Sequence, residues 1–315
     1  MGCVASAYAR GVTWTAADLP DLSGRTAVVT GANSGIGFHI ALELARHGAA
    51  VTLACRNLPA GEKSADTMRK AGAATVRVIP LDLSSLASGA AFAQTWRGSL
   101  DILVNNAGVM TPPRYRETAD GFELQFGTNH LGHYALTGRL LPALLAADAA
   151  RVVTVSSLAH HRGAPNLVAG NPRSGYSPEP AYANSKLANV LFADELNRRA
   201  GGTMITSTAA HPGIAATGLF SDRQGMGAIP GVRFVAPVFT RIVFQSATAG
   251  ATPVLFAATA AEPGSYTGPQ HLRETRGPVG PARRNPLTFD EELAARLWER
   301  SAELTGVDYD WGSSA

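Results

Sequence analysis

Cysteine is scarce in this 315-residue chain, which contains only Cys3 and Cys55. Two cysteines cannot build the disulfide framework of a small secreted domain, so we expect a reducing, cytoplasmic location. Charge is also sparse: 16% of the residues are Asp, Glu, Lys or Arg, and the formal net charge is +3. Such a balance provides no strongly basic surface, so we expect no nucleic-acid partner.

The chain also lacks a long apolar run. Its longest uncharged stretch, residues 242–261, contains Gln245, Gly250 and Pro253 and is too polar for a lipid span. We therefore predict no membrane span. The first residues carry no recognisable secretory signal, and we predict that residues 1–21 form a flexible N-terminal leader.

What the chain does contain, from Gly24 onward, is an alternation of short β-branched runs with longer amphipathic ones, which is typical of βαβ units. The pattern predicts one α/β domain over residues 22–315, a Rossmann-type, doubly wound parallel sheet of about seven strands with helices on both faces. The predicted strands are residues 26–30, 51–54, 76–81, 102–105, 151–155, 204–210 and 265–267. The predicted helices are residues 35–47, 60–71, 84–96, 121–146, 181–199, 247–259 and 289–304.

Two segments interrupt this alternation. Residues 158–180 form an insertion rich in Gly, Pro and Asn, and long loops in compact domains are usually functional or mobile. Residues 212–245 are apolar yet rich in Gly and Pro, which predicts a partly helical substrate flap over a hydrophobic ligand. A C-terminal tail, residues 268–315, is rich in Arg and Pro before its last helix.

A glycine-rich loop follows the first predicted strand and opens the first predicted helix. Glycines there allow a tight turn, and the helix N-terminus presents free N–H groups to a pyrophosphate. The spacing G-x-x-x-G-x-G differs from the common G-x-G-x-x-G fingerprint, but the strand before it and the helix after it are the required context. The candidate cofactor residues of this loop are Gly31, Asn33, Ser34, Gly35, Ile36 and Gly37.

Three further strand ends carry candidate cofactor residues. The second strand ends in Ala54-Cys55-Arg56 without a carboxylate to hold a ribose 2′-hydroxyl. Arg56 favours a 2′-phosphate instead, so NADP(H) is favoured over NAD(H). Asp82 and Leu83 follow the third strand, where they would meet the adenine. Asn106, Ala107 and Gly108 follow the fourth strand, where small residues let the backbone approach a ligand.

Tyr182 and Lys186 are four residues apart in a predicted helix, so they share one face of it. A neighbouring ammonium favours the phenolate, and we expect it to lower the pKa of Tyr182 into the range of acid/base chemistry. From the spacing alone, an ordinary exposed pair is the commoner explanation. Ser157 lies at the end of the fifth strand, at the edge of the sheet where ligands bind, and could donate a hydrogen bond to a substrate oxygen there.

Polar residues in the long predicted helix suggest two other roles. Asn129 falls in mid-helix, where an amide does not help the helix, and we expect it to distort the helix and hold a water. His130 and His133, like His160 and His161, lack the further ligands that a zinc site needs, so we predict no metal site. A serine hydrolase is not supported either, because no G-x-S-x-G motif surrounds Ser157.

Taken in order, these residues resemble the classical short-chain dehydrogenases/reductases from about Leu22 to Leu304. The segments Ala54-Cys55-Arg56, 128–133, 156–161 and 185–189 are similar to the branch of the retinol dehydrogenases and the WW-domain oxidoreductase. The long spacing between Ser157 and Tyr182 is similar to that branch as well.

The resemblance implies a role for each matching residue. Tyr182 would be the general acid of carbonyl reduction and the base of the reverse reaction. Lys186 would lower the pKa of Tyr182 and hold the nicotinamide ribose, Ser157 would orient the substrate oxygen, and Asn129 would anchor a water of the proton relay. The residues that would hold the nicotinamide are Pro212, Gly213, Ile214 and Thr217.

The resemblance thus implies an NADP(H)-dependent oxidoreductase that transfers a hydride between nicotinamide and a small hydrophobic carbonyl or alcohol. It also implies a possible homodimer, paired through the helices at residues 121–146 and 181–199. Two alternatives remain at this point: a nucleotide-binding sensor or scaffold without turnover, and a C=C double-bond reductase of the protochlorophyllide reductase type.

Overall fold

The computed structural model describes residues 13–73, 75–214 and 246–312. The strands are β1 (Thr26–Thr30), β2 (Ala50–Cys55), β3 (Val76–Pro80), β4 (Ile102–Asn105), β5 (Ala150–Val155), β6 (Ile205–Ala210), β7 (Tyr266–His271) and β8 (Arg276–Pro281). They form one eight-stranded sheet in the order β3-β2-β1-β4-β5-β6-β7-β8. All neighbouring strands are parallel except β7 and β8. The predicted Rossmann-type α/β architecture is confirmed.

The helices are α1 (Gly35–Arg46), α2 (Leu58–Lys70), α3 (Leu86–Thr95), α4 (the consecutive segments Leu124–Phe126, Gly127–Leu131 and Gly132–Arg139), α5 (Leu141–Leu145), α6 (Pro178–Arg199), α7 (Ala247–Thr259) and α8 (Glu291–Thr305). They cover both faces of the sheet because successive strand residues point to opposite sides. Ala27 and Val29 of β1 pack in one core with α1 and α7. Val28 packs in the opposite core, with Phe92 of α3 and Tyr134 of α4.

The sheet has one strand more than the sequence predicted. Strand β8 forms the edge of the sheet and pairs antiparallel with β7, with Gly268 opposite Gly280. Its sequence, Arg-Gly-Pro-Val-Gly-Pro, has low β-propensity, and such residues are tolerated where a strand has only one neighbour. The pairing with β7 therefore determines this strand more than its own composition does.

The long helix predicted at residues 121–146 is interrupted. Helix α4 contains a π-helical segment, Gly127–Leu131, with Asn129 at its centre, and it ends at Arg139 before the short α5. The expected distortion at Asn129 is confirmed. The predicted insertion before Tyr182 contains two short 3-10 helices, Leu158–Arg162 and Pro165–Ala169.

The C-terminal segment packs on the outer side of α4 and α6. Leu297 of α8 is buried in a cluster with Phe126 and Leu187. Further along, the Tyr309 hydroxyl donates a hydrogen bond to the Tyr134 carbonyl at 2.7 Å. A β-carbon on Gly138 of α4 would lie 2.7 Å from the Tyr309 ring, so the contact is close. The C-terminal segment therefore packs against both of the helices through which a homodimer was predicted.

Two remaining predictions concern segments at the limits of the described residues. Residues 13–21 of the predicted leader contact the body of the protein, because Leu19 is buried and the Trp14 ring lies 5.3 Å from that of Phe256 in α7. The predicted flap at 212–245 falls outside the described residues beyond Ile214. Within the parts of the chain that the structure describes, no helix is long and apolar enough to cross a membrane.

Candidate active site

The glycine-rich loop connects β1 to α1 at the carboxyl edge of the sheet. Gly31 adopts φ +67° and Gly35 φ +58°, backbone conformations that favour glycine. A β-carbon on Gly37 would lie 2.6 Å from both the Gly31 carbonyl oxygen and Asn106 Nδ2, so the turn has no room for a side chain. Ser34 is exposed and precedes α1 without a side-chain capping bond. The first N–H groups of α1 therefore fit an anionic ligand such as a pyrophosphate.

The end of β4 forms a wall beside this loop. Asn106 Nδ2 donates to the Thr30 carbonyl at 2.8 Å, and the Thr30 hydroxyl accepts from the N–H groups of Asn106 and Ala107, both at 2.9 Å. A β-carbon on Gly108 would lie 3.0 Å from Asn129 Oδ1 and 3.5 Å from Lys186 Nζ. The predicted residues Asn106, Ala107 and Gly108 therefore connect the glycine loop to Asn129 and Lys186.

The other predicted cofactor residues lie at neighbouring strand ends. Arg56 is exposed directly after β2, and the backbone carbonyl of Asn33 accepts a hydrogen bond from the Ser64 hydroxyl of α2 at 2.9 Å. Asp82 accepts from both the N–H and the hydroxyl of Ser84, at 2.9 and 2.6 Å. The adjacent Leu83 is buried.

Ser157 lies just beyond β5 and caps the 3-10 helix Leu158–Arg162. Its hydroxyl accepts from the Ala159 N–H at 3.2 Å and lies within hydrogen-bonding reach of the Tyr182 phenol. Burial raises the pKa of Tyr182 to about 12, and the hydrogen bond with Ser157 opposes this shift. The prediction of a lowered pKa is wrong for this structure, because desolvation of the phenolate outweighs the stabilising contacts.

Lys186 lies below Tyr182 on the same face of α6, as the spacing predicted. It is buried, and its Nζ lies 5.8 Å from the centre of the Tyr182 ring. Nζ donates to the Val155 carbonyl at 3.1 Å, and the Lys186 carbonyl accepts from the Ser156 hydroxyl at 2.7 Å. Burial lowers the pKa of Lys186 to about 8. The ammonium is thus anchored to the end of β5.

Asn129 joins three elements from the centre of the π-helical segment. Its Oδ1 accepts from the Val109 N–H at 2.7 Å, and its Nδ2 donates to the Val109 carbonyl at 2.9 Å and to the Ser185 hydroxyl at 3.0 Å. The Asn129 carbonyl of this π-helical segment accepts a hydrogen bond from His133 Nδ1 at 3.0 Å.

Pro212, Gly213 and Ile214 follow β6 on the far side of Ser157. The Ile214 N–H donates to the Thr275 carbonyl at 3.0 Å, and the Gly213 N–H donates to His211 Nδ1 at 3.2 Å. Thr217, the fourth residue predicted for the nicotinamide, lies outside the described residues.

Histidines near the site have partners other than a metal. His133 bridges the Thr30 hydroxyl and the Asn129 carbonyl, at 2.9 and 3.0 Å, and His130 contacts the Ser301 hydroxyl at 2.9 Å. Burial lowers the pKa of His130 to about 3 and that of His133 to about 4, so both rings are neutral at pH 7. Among the described residues, no group of three or more His, Cys, Asp or Glu could hold a metal ion.

Sequence reasoning missed a second layer of buried polar residues behind the site. His211 follows β6, Glu274 lies in the β7–β8 turn and Asn285 follows β8, while His160 carries only the metal-ligand interpretation from the sequence. All four side chains are buried. Their spacing in sequence gives no periodic signal; only the fold brings them together.

The family model for short chain dehydrogenases matches residues 25–226 of this chain. The chain belongs to the short-chain dehydrogenase/reductase family and is an NAD(P)-dependent oxidoreductase. The resemblance to the retinol dehydrogenase branch is confirmed by the relatives described next.

Human retinol dehydrogenase 13 is 40% identical over 91% of this chain and 86% of its own length. Mouse polyprenol dehydrogenase is 41% identical over 92% of this chain and 86% of its own. A crystal structure of an uncharacterised protein from Mycobacterium paratuberculosis is 43% identical, with a TM-score of 0.78 over 95% of this chain and 99% of that one. The structure of a protein described as an NAD(P)-dependent gluconate 5-dehydrogenase from Beutenbergia cavernae, with NADP bound at low occupancy, is 28% identical with a TM-score of 0.59 over 78% of this chain and 95% of that one.

Proposed function

We propose that this protein is an NADP(H)-dependent reductase or dehydrogenase of hydrophobic carbonyl or alcohol compounds, with Tyr182 as its general acid/base. One observation carries the proposal: Ser157 lies within hydrogen-bonding reach of the Tyr182 phenol, and Lys186 lies 5.8 Å from that ring, at the sheet edge beside the glycine loop. Within this family, such a cluster beside a nucleotide loop supports acid/base chemistry on a substrate oxygen.

The residues have distinct tasks in carbonyl reduction. With a pKa of about 12, the Tyr182 phenol is protonated at neutral pH, which is the form that donates a proton to the carbonyl oxygen. Ser157 orients that oxygen by a second hydrogen bond. NADPH, when bound, supplies the hydride to the carbonyl carbon. The Lys186 ammonium, held by Val155, stabilises the phenolate left behind, and Asn129 connects the site to a proton relay.

Residues of the glycine loop and the strand ends would hold the cofactor. The uncapped start of α1 would take the pyrophosphate, and Arg56, exposed directly after β2 where the sequence Ala54-Cys55-Arg56 carries no Asp or Glu, favours a 2′-phosphate. Asp82 and Leu83 would face the adenine, and Pro212, Gly213, Ile214 and Thr217 the nicotinamide.

The names of the relatives suggest the substrate class. Retinol and polyprenols are long, apolar isoprenoid alcohols. The two relatives named for them have nearly the same sequence identity to this chain, 40% and 41%. We therefore propose an apolar primary alcohol or its aldehyde as the substrate.

The homodimer through α4 and α6 stays a prediction. Leu297 of α8 already packs with Phe126 of α4 and Leu187 of α6, so such a dimer would have to accommodate α8. The cytoplasmic location rests on the low cysteine content and stays a prediction.

The test is consumption of NADPH over a panel of apolar aldehydes, ketones and quinones, with retinal included, and of NADP over the matching alcohols. We expect turnover with apolar aldehydes and an alcohol as the product. Reduction of a conjugated C=C bond instead would identify the double-bond reductase alternative. NADPH binding without consumption in either direction would favour the sensor and contradict this proposal.

A further inference from the structure

Ser157 is held from behind by a buried histidine. The His160 side chain has no exposed surface, and its ring packs 5.0 Å from the ring of Tyr266. Its Nδ1 lies 2.7 Å from the Ser157 carbonyl oxygen, which also accepts the His160 backbone N–H at 3.0 Å. The Tyr266 hydroxyl also lies 3.4 Å from Nδ1, but the Ser157 carbonyl is much closer and a carbonyl oxygen can only accept, so we assign the hydrogen to Nδ1.

The other ring nitrogen has a partner of the opposite kind. The Asn285 N–H points at His160 Nε2 from 3.3 Å, and an N–H can only donate, so Nε2 is an acceptor. The two partners together select the neutral Nδ1–H tautomer. Burial, followed by repulsion from His161, lowers the pKa of His160 to about 4, which is consistent with a neutral ring.

Asn285 extends this connection along the backbone. Its Nδ2 lies within hydrogen-bonding distance of three carbonyl oxygens, those of His160, His161 and Gly163, at 3.0, 3.2 and 3.2 Å. The 3-10 helix that follows Ser157 is thus tied to the segment after β8.

These contacts hold the backbone from which the Ser157 side chain projects. The Ala159 N–H occupies one acceptor site of the Ser157 hydroxyl, which leaves its single hydrogen for Tyr182 in the free enzyme and for the substrate oxygen once substrate is bound. The position of the Ala159 N–H depends on the turn that begins at Ser157. His160 binds the Ser157 carbonyl, which is the first carbonyl of that turn. A rotation of this turn would move the hydroxyl away from the phenol.

We propose that His160 is a positioning residue for the reaction: in its neutral Nδ1–H tautomer it holds the backbone of Ser157 and thereby aims the Ser157 hydroxyl at Tyr182 and the substrate oxygen. The inference rests on the proposed function of Ser157 and Tyr182. His160 itself contacts neither of the reacting groups.

The test compares three variants of His160. His160→Leu removes the donor, His160→Asn keeps an N–H near the position of Nδ1, and His160→Gln places its amide one atom further along. His161→Leu is the matched control, because it removes the adjacent ring but leaves the bonds of Ser157 in place. All are first compared by thermal unfolding and NADPH affinity.

We expect His160→Leu to lower kcat by roughly 10- to 100-fold, because small misplacements of a reacting group cost up to about that much. NADPH affinity should change less than about twofold. His160→Asn should restore most of kcat, whereas His160→Gln should not. Equal losses in the Leu and Asn variants would overturn the positioning role.

The pH profile separates positioning from a general loss of structure. In alcohol oxidation Tyr182 must be ionised, so the rate rises with pH through its kinetic pKa. Since Ser157 lowers that pKa, a misplaced Ser157 shifts the rising limb to higher pH in His160→Leu and leaves it unmoved in His161→Leu. A lower kcat with an unmoved limb would contradict the proposal.

A tautomer measurement is independent of turnover. In long-range ¹H–¹⁵N spectra at neutral pH, the signals that disappear in His160→Asn should show the Nδ1–H form, even if no substrate in the panel is consumed. A protonated or Nε2–H ring would overturn the inference, while absence of turnover in the wild type alone would count only against the proposed function.

Discussion

Ser157 and the Pro212–Ile214 segment lie at the carboxyl ends of neighbouring strands, β5 and β6, but different contacts hold them. On the Ser157 side, the His160 ring satisfies both of its nitrogens. On the other side, His211 Nε2 and Glu274 Oε2 lie 3.4 Å apart, and among the described residues neither buried atom has a well-oriented hydrogen-bond partner.

The backbone differs in the same way. Pro212–Ile214 is attached to the β7–β8 turn through the bond from Ile214 to Thr275. In that turn three successive residues other than glycine, Leu272, Arg273 and Glu274, have φ of 49°, 57° and 65°. Each such residue costs about 1–2 kcal/mol relative to the right-handed region.

The difference shows where preorganisation is concentrated. On the Ser157 side, both ring nitrogens of His160 have hydrogen-bond partners. The proposed nicotinamide side is held by the strained β7–β8 turn and by His211 and Glu274, whose facing atoms lack well-oriented hydrogen bonds. Strain of this kind persists only where surrounding contacts enforce it, and it is common at ligand-binding sites.

The largest effect should follow removal of the Ser157 hydroxyl. Ser157→Ala should lower kcat/KM for aldehyde reduction by roughly 100- to 1000-fold, as for loss of one donor to a developing oxyanion. It should also move the rising limb of alcohol oxidation to higher pH by more than His160→Leu does, because the whole hydrogen bond to Tyr182 is lost. Steady-state kinetics over pH measure both.

Ser156→Ala is the matched control for that experiment. Its hydroxyl donates to the Lys186 carbonyl and lies next to Ser157 in sequence, but it is buried behind the site. We expect lower stability with kcat/KM reduced far less. Similar kinetic losses in the two alanine variants would show that the Ser157 hydroxyl has no special role.

A smaller effect should follow disruption of the opposite side. Glu274→Ala removes the acceptor that faces His211 and also receives the Arg283 N–H at 2.9 Å. Loss of a buried hydrogen-bonded group costs about 1–3 kcal/mol, and we expect part of this as a roughly 5- to 10-fold weaker NADPH affinity with kcat nearly unchanged. Fluorescence titration with NADPH measures it.

Arg283→Ala tests whether charge alone explains such a change. Its side chain is 80% exposed and its Nε lies 3.7 Å from Glu274 Oε1, so we expect NADPH affinity to stay within about twofold. If Glu274→Ala lowers kcat and leaves NADPH affinity unchanged, the Pro212–Ile214 side supports catalysis and not cofactor binding, which would contradict the comparison.

The smallest effect should come from relief of strain in the turn. Leu272→Gly should raise the free energy of unfolding by about 0.5–1 kcal/mol, because glycine adopts positive φ without a β-carbon clash. Leu272 is 62% exposed, so little packing is lost. Met204→Gly, at a residue 64% exposed without positive φ, should instead destabilise the protein. Urea unfolding measures the free energy of both variants. A destabilised Leu272→Gly variant would show that the turn is not strained.

The sequence predicted features whose signal is local. The loop from Gly31 to Gly37 has its strand and helix on either side, and the spacing of Tyr182 and Lys186 follows directly from helix geometry. Alternation of apolar runs was sufficient for β1 to β7. These are short-range patterns that the tertiary fold preserves.

Features that depend on distant residues could not be predicted in this way. Strand β8 is stabilised by β7 despite its Gly and Pro content. The pKa of Tyr182 depends on burial that no local spacing reveals. Nε2 of His160 faces the N–H of Asn285, a residue that is brought next to it only by the completed sheet.

The central claim is that Tyr182 transfers the proton while the rest of the site holds the reactants. Tyr182→Phe removes one oxygen and keeps the ring, so NADPH affinity should stay within about threefold. The rate of NADPH oxidation with the best aldehyde in single turnover should fall by at least about 1000-fold, within the range of general acid catalysis. A Phe variant that retains a tenth or more of the wild-type rate would contradict the account.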